Sequence, residues 1–166
     1  AMALASAITR GALPSLQGLF LSWNQIGDAG VSALANACTS SHISAELKAL
    51  FLNSNGISDA GVQAFVNACT STPAIGTGAN PGLPRLTILA LDGQDRRTGN
   101  QIGDAGFAAI TSALAVGALP ALGDLRLPRH HRGRVARDAL VSQLKRSHRD
   151  NFRPSSFSDP NGTFLF

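Results

Sequence analysis

Residues 16–38 read LQGLFLSWNQIGDAGVSALANAC, and residues 47–69 return the same text almost intact as LKALFLNSNGISDAGVQAFVNAC. Self-similarity at a fixed spacing is the mark of a repeat architecture and constrains the fold more than any single residue. Each copy opens on an apolar alternation, Leu19 and Leu21 in the first and Leu50 and Leu52 in the second. That period near two is the period of a short strand. Each then runs into apolar residues three and four apart, Val31, Leu34 and Cys38 in the first copy, which line one face of a helix. A strand and a helix this short cannot bury their apolar faces alone. Stacked units share one core and place a parallel sheet on the concave side.

The repeat extends in both directions. A third copy starts at Leu86, carries Leu89 and Leu91, breaks, and resumes from Asn100 through Asp104 and Gly106 to Leu114. A degenerate fourth starts at Leu122, carries Leu125 and Leu127, and keeps the helical end around Leu140 and Leu144. Before the first copy, Ala3 to Ile8 aligns with Ala33 to Cys38, so residues 1–15 read as a partial repeat. The starts at Leu16, Leu47, Leu86 and Leu122 are 31, 39 and 36 residues apart. Eight extra residues between Cys69 and Leu86 and six between Leu91 and Asn100 account for the difference, leaving 31, 31 and 30. The first insertion, 72–82, is rich in Pro and Gly and the second, 92–99, is polar, the compositions of surface loops. The expected organisation is one solenoid over residues 1–146 and an irregular tail over 147–166, together a fragment of a longer protein.

The pattern L-x-x-L-x-L-x-x-N-x-I-x-D-x-G followed by an Ala/Leu helix resembles the ribonuclease-inhibitor type of leucine-rich repeat over roughly residues 3–146. The resemblance implies an α/β fold: a right-handed solenoid, a horseshoe fragment of about 3.5–4 repeats with one short parallel strand and one helix each. It also implies an asparagine ladder of Asn24 and Asn55, with Asn100 returning to that role after its insertion, whose side chains satisfy backbone groups between repeats. His130 stands in the fourth slot and departs from the pattern.

Asp28, Asp59 and Asp104 each stand just before a helix, where a carboxylate can bond the free N–H groups of the first turn. They are expected to cap their own helices. Cys38 and Cys69 share a repeat position on neighbouring helices, which lie roughly 8–10 Å apart. That exceeds the roughly 7 Å Cα reach of a disulfide, so both read as buried thiols. Two cysteines build no disulfide framework, which points to a cytoplasmic protein, with the nucleus as the alternative. No apolar run reaches the roughly 18–20 residues of a membrane span. No nucleophile, base or metal cluster is assembled: His42 stands in a loop, and His130, His131 and His148 lack ligand-spaced partners. The reading is a chain that is not an enzyme and takes no cofactor or metal.

The residues between the inward leucines point out of the sheet: Phe20, Phe51, Ala90 and Arg126. Phe20 and Phe51 are expected as neighbours roughly 5 Å apart across the sheet. Trp23 stands at the edge, with Ser54, Gly93 and Arg129 in the equivalent outward slot and Asn53 and Asp92 alongside. Such an aromatic group is the kind that anchors a protein partner. Residues 122–166 hold nine Lys and Arg against four Asp, and residues 1–121 hold five against six acidic residues. Arg126, Arg129, Arg132, Arg134 and Arg137 form a basic patch open to an acidic protein, with nucleic acid as the lesser alternative for want of an aromatic to stack bases. The functional expectation is a protein-interaction scaffold using the concave face. The alternatives are the repeat domain of a GTPase activator, with Arg96 and Arg97 as its candidate residues, or of a signalling or immune-type receptor.

Overall fold

The computed structural model describes residues 1–40, 46–71, 82–93, 99–128 and 134–147. Helices and strands alternate: α1 (Met2–Thr9), β1 (Gly18–Phe20), α2 (Gly27–Ser40), β2 (Ala49–Phe51), α3 (Asp59–Ser71), β3 (Ile88–Ala90), α4 (Asp104–Ala115), β4 (Asp124–Arg126) and α5 (Arg134–Ser147). The strands form one open sheet in the order β1-β2-β3-β4, every pair parallel. α2, α3 and α4 are the crossovers that the three parallel pairs require, and the helices contact one another in chain order. Leu19, Leu50, Leu89 and Leu125 stand in one register across the sheet. The 39- and 36-residue intervals therefore end on the same position as the 31-residue one, and the extra residues lie outside the repeat. Residues 72–81 and 94–98 of the insertions, and the tail from 148, fall outside the described residues. This is an α/β solenoid of about four strand–helix repeats, the fold that the resemblance implies.

The core lies between sheet and helices. Leu50, Leu52, Leu89, Leu91, Leu125 and Leu127 enter it from the strands, and Val31, Leu34, Val62, Phe65, Phe107, Ile110 and Leu140 from the helices. Leu21, expected to point inward with them, is only half-buried, because no repeat covers β1 on its outer side.

Three-residue strands make few ladder bonds, and the asparagines extend the ladder past them. Asn100 Oδ1 accepts the backbone N–H groups of Asn55 and Ile57, both at 3.0 Å, while its amide donates to the Leu52 and Leu91 carbonyls. Asn55 repeats the arrangement one unit earlier, accepting from Asn24 and Ile26 and donating to Leu21 and Asn53. Both are buried, whereas Asn24 is exposed and its amide bonds only carbonyls of its own turn. His130 lies outside the described residues.

The aspartates work differently from the sequence expectation. Asp28 is already inside α2, and its carboxylate accepts from the backbone N–H and the hydroxyl of Ser58 in the next repeat. Ser58 Oγ in turn accepts from Ala60 N–H and so caps α3. Asp59 accepts from Gly103 and Gly106 N–H, capping α4 of the following unit at 2.6 and 2.9 Å. Asp104 is the exposed first residue of α4. A carboxylate in the first turn of its own helix lies beside the neighbouring helix start, so Asp28 and Asp59 each bond the next repeat. The glycine of each D-x-G is what admits it: a Cβ on Gly106 would sit 2.6 Å from Asp59 Oδ1, and one on Gly61 would collide with Asp28 Oδ1.

Two helix ends carry a turn that the repeat pattern did not reveal. After α1, Gly11 (φ +76°) and Ala12 donate to Ile8 and Ala7, and after α4, Gly117 (φ +84°) and Ala118 donate to Leu114 and Ala113. Both are Schellman turns, which need a left-handed residue just past the helix. Cys38 and Cys69 are buried free thiols, each pushed up to about 12 by burial, so neither supplies a reactive thiolate near neutral pH.

Asn100→Ala leaves two N–H groups and two carbonyls unpaired in the interior. It is expected to cost about 3 kcal/mol or more, from roughly 1–3 kcal/mol per stranded group, while Asn24→Ala costs under about 1 kcal/mol. Urea denaturation of the two variants checks this; equal losses would deny the ladder its role.

Candidate interaction face

The sheet face turned away from the helices is the concave side of the expected solenoid. Register aligns Phe20, Phe51, Ala90 and Arg126 into one row across it. The Phe20 and Phe51 rings stack, with centroids 4.8 Å apart and planes 10° from parallel, the spacing of adjacent strands. Phe20 is 72 % exposed and Phe51 half-buried. Phe20 leans over Gly18, where a Cβ would stand 2.9 Å from the ring, so the missing side chain gives the ring its place.

Arg126 completes the row. Its guanidinium carbon lies 5.9 Å from the centroid of the Phe51 ring. Its Nε and Nη2 both donate to Asp124 Oδ2, at 3.0 and 2.8 Å. Ala90, between them in the register, is fully covered. The hydrogen bond to Asp124 holds the guanidinium above its ordinary pKa; burial opposes this, and the charges of Asp124 and Asp92 add to it. The sequence reading put an aromatic patch at one end of the face and arginines at the other. Arg126 instead reaches across a small residue onto Phe51. Asp124 and Arg126, two apart on one strand and hence on one side of the sheet, were the legible signal.

A polar row runs beside the aromatic one. The Ser22 hydroxyl donates to Asn53 Oδ1 at 3.0 Å, and the Asn53 amide donates to the Asp92 carboxylate. On the other flank, Lys48 Nζ donates to Gln17 Oε1 at 3.0 Å. Among the described residues the face thus carries Lys48 and Arg126 against Asp92 and Asp124, a balanced set.

Trp23 does not head a row of outward residues. Ser54, in the equivalent slot, is 3 % exposed with no partner for its hydroxyl among the described residues, and Gly93 is buried. Trp23 itself is 65 % exposed with φ +64°, its backbone N–H bonded to the Asn53 carbonyl. Left-handed backbone costs an L-residue roughly 1–2 kcal/mol. Ser54 shares the conformation, at φ +52°. Of the basic patch, Arg129 and Arg132 fall outside the described residues, and Arg134 and Arg137 belong to α5 without described side chains. His42, His130, His131 and His148 also lie outside. Among the described residues no His, Cys, Asp or Glu cluster could hold a metal, and no helix is long and apolar enough to cross a membrane.

The family model described as Leucine Rich repeat matches residues 12–35 and 46–66, the first two strand–helix units. The chain is a leucine-rich-repeat protein. The third and fourth units of this leucine-rich-repeat chain follow through the register that places Leu89 and Leu125 beside Leu19 and Leu50. The ribonuclease-inhibitor-like type is compatible with that match. No curated protein matches the sequence. Leucine-rich repeats are generally protein-interaction modules, and the typical member of the family is a non-enzymatic binding scaffold.

A double-mutant cycle with Phe51→Leu and Arg126→Met is expected to give a coupling of about 0.5–1 kcal/mol, the size of an exposed cation–π contact. Thermal or urea denaturation of the four proteins measures it. Strictly additive effects would show that the guanidinium and ring do not interact.

Proposed function

We propose that this leucine-rich-repeat chain is a non-catalytic scaffold that binds a partner protein on the open face of its sheet. Phe20, Phe51 and Trp23 form the anchor, and Asn53, Asp92 and Arg126 the polar surroundings. The observation that carries the reading is the Phe20–Phe51 stack on the face away from the core, with Phe20 exposed and Phe51 half-buried. A stacked pair contributes roughly 0.5–1.5 kcal/mol beyond its buried area, so the rings are held in place before a partner arrives. Clustered aromatics of this kind dominate binding energies at protein interfaces.

Among the described residues the charges of the face balance, which favours a protein over nucleic acid, whose binding draws chiefly on unpaired Lys and Arg. Buried free thiols fit a reducing compartment, and we assign the chain to the cytoplasm. No observation favours the GTPase-activator or receptor readings, since Arg96 and Arg97 lie outside the described residues.

A photo-crosslinking side chain tests the assignment. Placed at Ala49 or Asn53 on the sheet face, it is expected to trap a protein from native extract, and Phe20→Ala is expected to abolish the adduct. The same probe at Gln63 or Ala108, exposed on α3 and α4, is expected to trap none. Adducts confined to the helix positions, indifferent to Phe20→Ala, would overturn the reading.

A further inference from the structure

The two edges of the sheet are not alike. β4 carries the charged Asp124 and Arg126 with Pro128 just beyond, residue types that keep an edge strand from pairing. β1 forms the opposite edge, and residues 15–26 hold no charged residue and no proline. Its outer side presents the groups that β2 presents to β1. Across that filled interface the Phe51 and Asn53 carbonyls accept from Leu21 and Trp23, and the Lys48 and Ala49 N–H groups donate to the Gln17 carbonyl. The counterparts on β1 are the Phe20 and Ser22 carbonyls and the N–H groups of Gln17 and Gly18, and among the described residues no strand meets them. Two further features mark the same place. Asn24 Oδ1 accepts no hydrogen bond among the described residues, whereas the oxygens of Asn55 and Asn100 each accept two N–H groups of the preceding unit. Leu16, Leu21 and Ile26 are half-buried, whereas their counterparts Leu47, Leu52 and Ile57 are fully covered. The helix side is already filled: α1 lies against α2, burying Ala5 and Ile8, and Ala1 reaches Gly30, where later repeats receive an aspartate. What is open has the size of one strand and its turn.

We propose that the free edge of β1 receives an extended, leucine-bearing segment of another protein as a fifth strand, parallel to β1, with two N–H groups of its turn bonded to Asn24 Oδ1. This edge is a different surface from the sheet face assigned above and shares Phe20 with it. In such strand addition the main-chain bonds supply affinity and the alternate side chains supply specificity. Apolar residues two apart on the inner side of the segment would lengthen the row of Leu19, Leu50, Leu89 and Leu125 and cover Leu21. The direction follows from the asparagine. Asn24 stands beyond the C-terminal end of β1, and Asn55 in the same place accepts N–H groups that follow a strand, those of Asn24 and Ile26. A parallel segment brings its own following turn to that oxygen, and an antiparallel one brings its start. The same point argues against a second copy of this chain: two β1 edges related by a two-fold axis would run antiparallel, and the β4 edge is the blunted one.

The probe is a synthetic peptide with the sequence of residues 16–26, the segment that pairs with β2 in this manner. Added to the whole isotope-labelled chain, it is expected to shift the Gly18 and Phe20 amides and the Asn24 carboxamide saturably and to raise Tm. Asn24→Ala, a change that costs the fold little, is expected to weaken this binding at least about tenfold, since two N–H groups of the peptide lose their acceptor. The same peptide N-methylated at the residue corresponding to Leu21, the donor for the Phe20 carbonyl, is expected not to bind. A spin label on its amino end is expected to broaden Gln17 and Gly18 rather than Gln25. Absence of a saturable shift would overturn the proposal, as would equal binding by the N-methylated peptide or by the Asn24→Ala chain. Broadening at Gln25 would show an antiparallel segment, and shifts confined to Ala49 and Asn53 would place the peptide on the face instead of the edge; either contradicts the assignment. Gly18 and Phe20 amides that become protected as the chain alone is concentrated would make the occupant a second copy, and the proposal would fall.

Discussion

The asparagine side chain between successive repeats is the interaction on which the rest of this structure depends. Strands of three residues supply too few ladder bonds to hold one unit against the next. Where the backbone turns away from the sheet its N–H and C=O groups still need partners, and a buried group left unpaired is expensive. Asn55 and Asn100 meet that need with one carboxamide each: the oxygen accepts two N–H groups of the preceding repeat and the nitrogen donates to a carbonyl on either side. Asp28 and Asp59 add a second inter-repeat link at the helix starts, made possible by the glycine of the next repeat's D-x-G, Gly61 and Gly106 respectively. Together these polar links set one unit's register on the next, and leucine burial then closes the core.

The face inherits its order from that register. Phe20 and Phe51 stack at the strand spacing because the repeats cannot slide past one another. Arg126 finds Phe51 because alanine occupies the intervening strand. The same constancy makes variation informative: Trp23 stands out against Ser54 and Gly93 only because the three occupy equivalent places.

Much of this was legible in the sequence, for reasons that differ by residue. The leucines and the D-x-G motif recur at a fixed interval, and recurrence reports a shared environment even before that environment is known. The insertions were separable because Leu89, Leu91 and Asn100 keep their order on either side of a polar break. The target of each aspartate was not legible, since a carboxylate at a helix start can bond its own turn or its neighbour's, and only the distance between helices decides. The turns at Gly11 and Gly117 escaped because they lie between the leucine motifs, although a glycine just after an apolar helix is itself a stop signal. The reach of Arg126 over Ala90 depends on a rotamer and a third residue, Asp124, which periodicity does not describe.

Amide hydrogen exchange tests the central dependence most directly. Among the described residues the N–H groups of Asn55 and Ile57 bond only a side-chain oxygen, Asn100 Oδ1, and no backbone carbonyl. If that carboxamide holds the repeats together, both amides should exchange no faster than the core of α3, through global unfolding alone. Fast exchange of both through local opening, while α3 remains protected, would contradict the account.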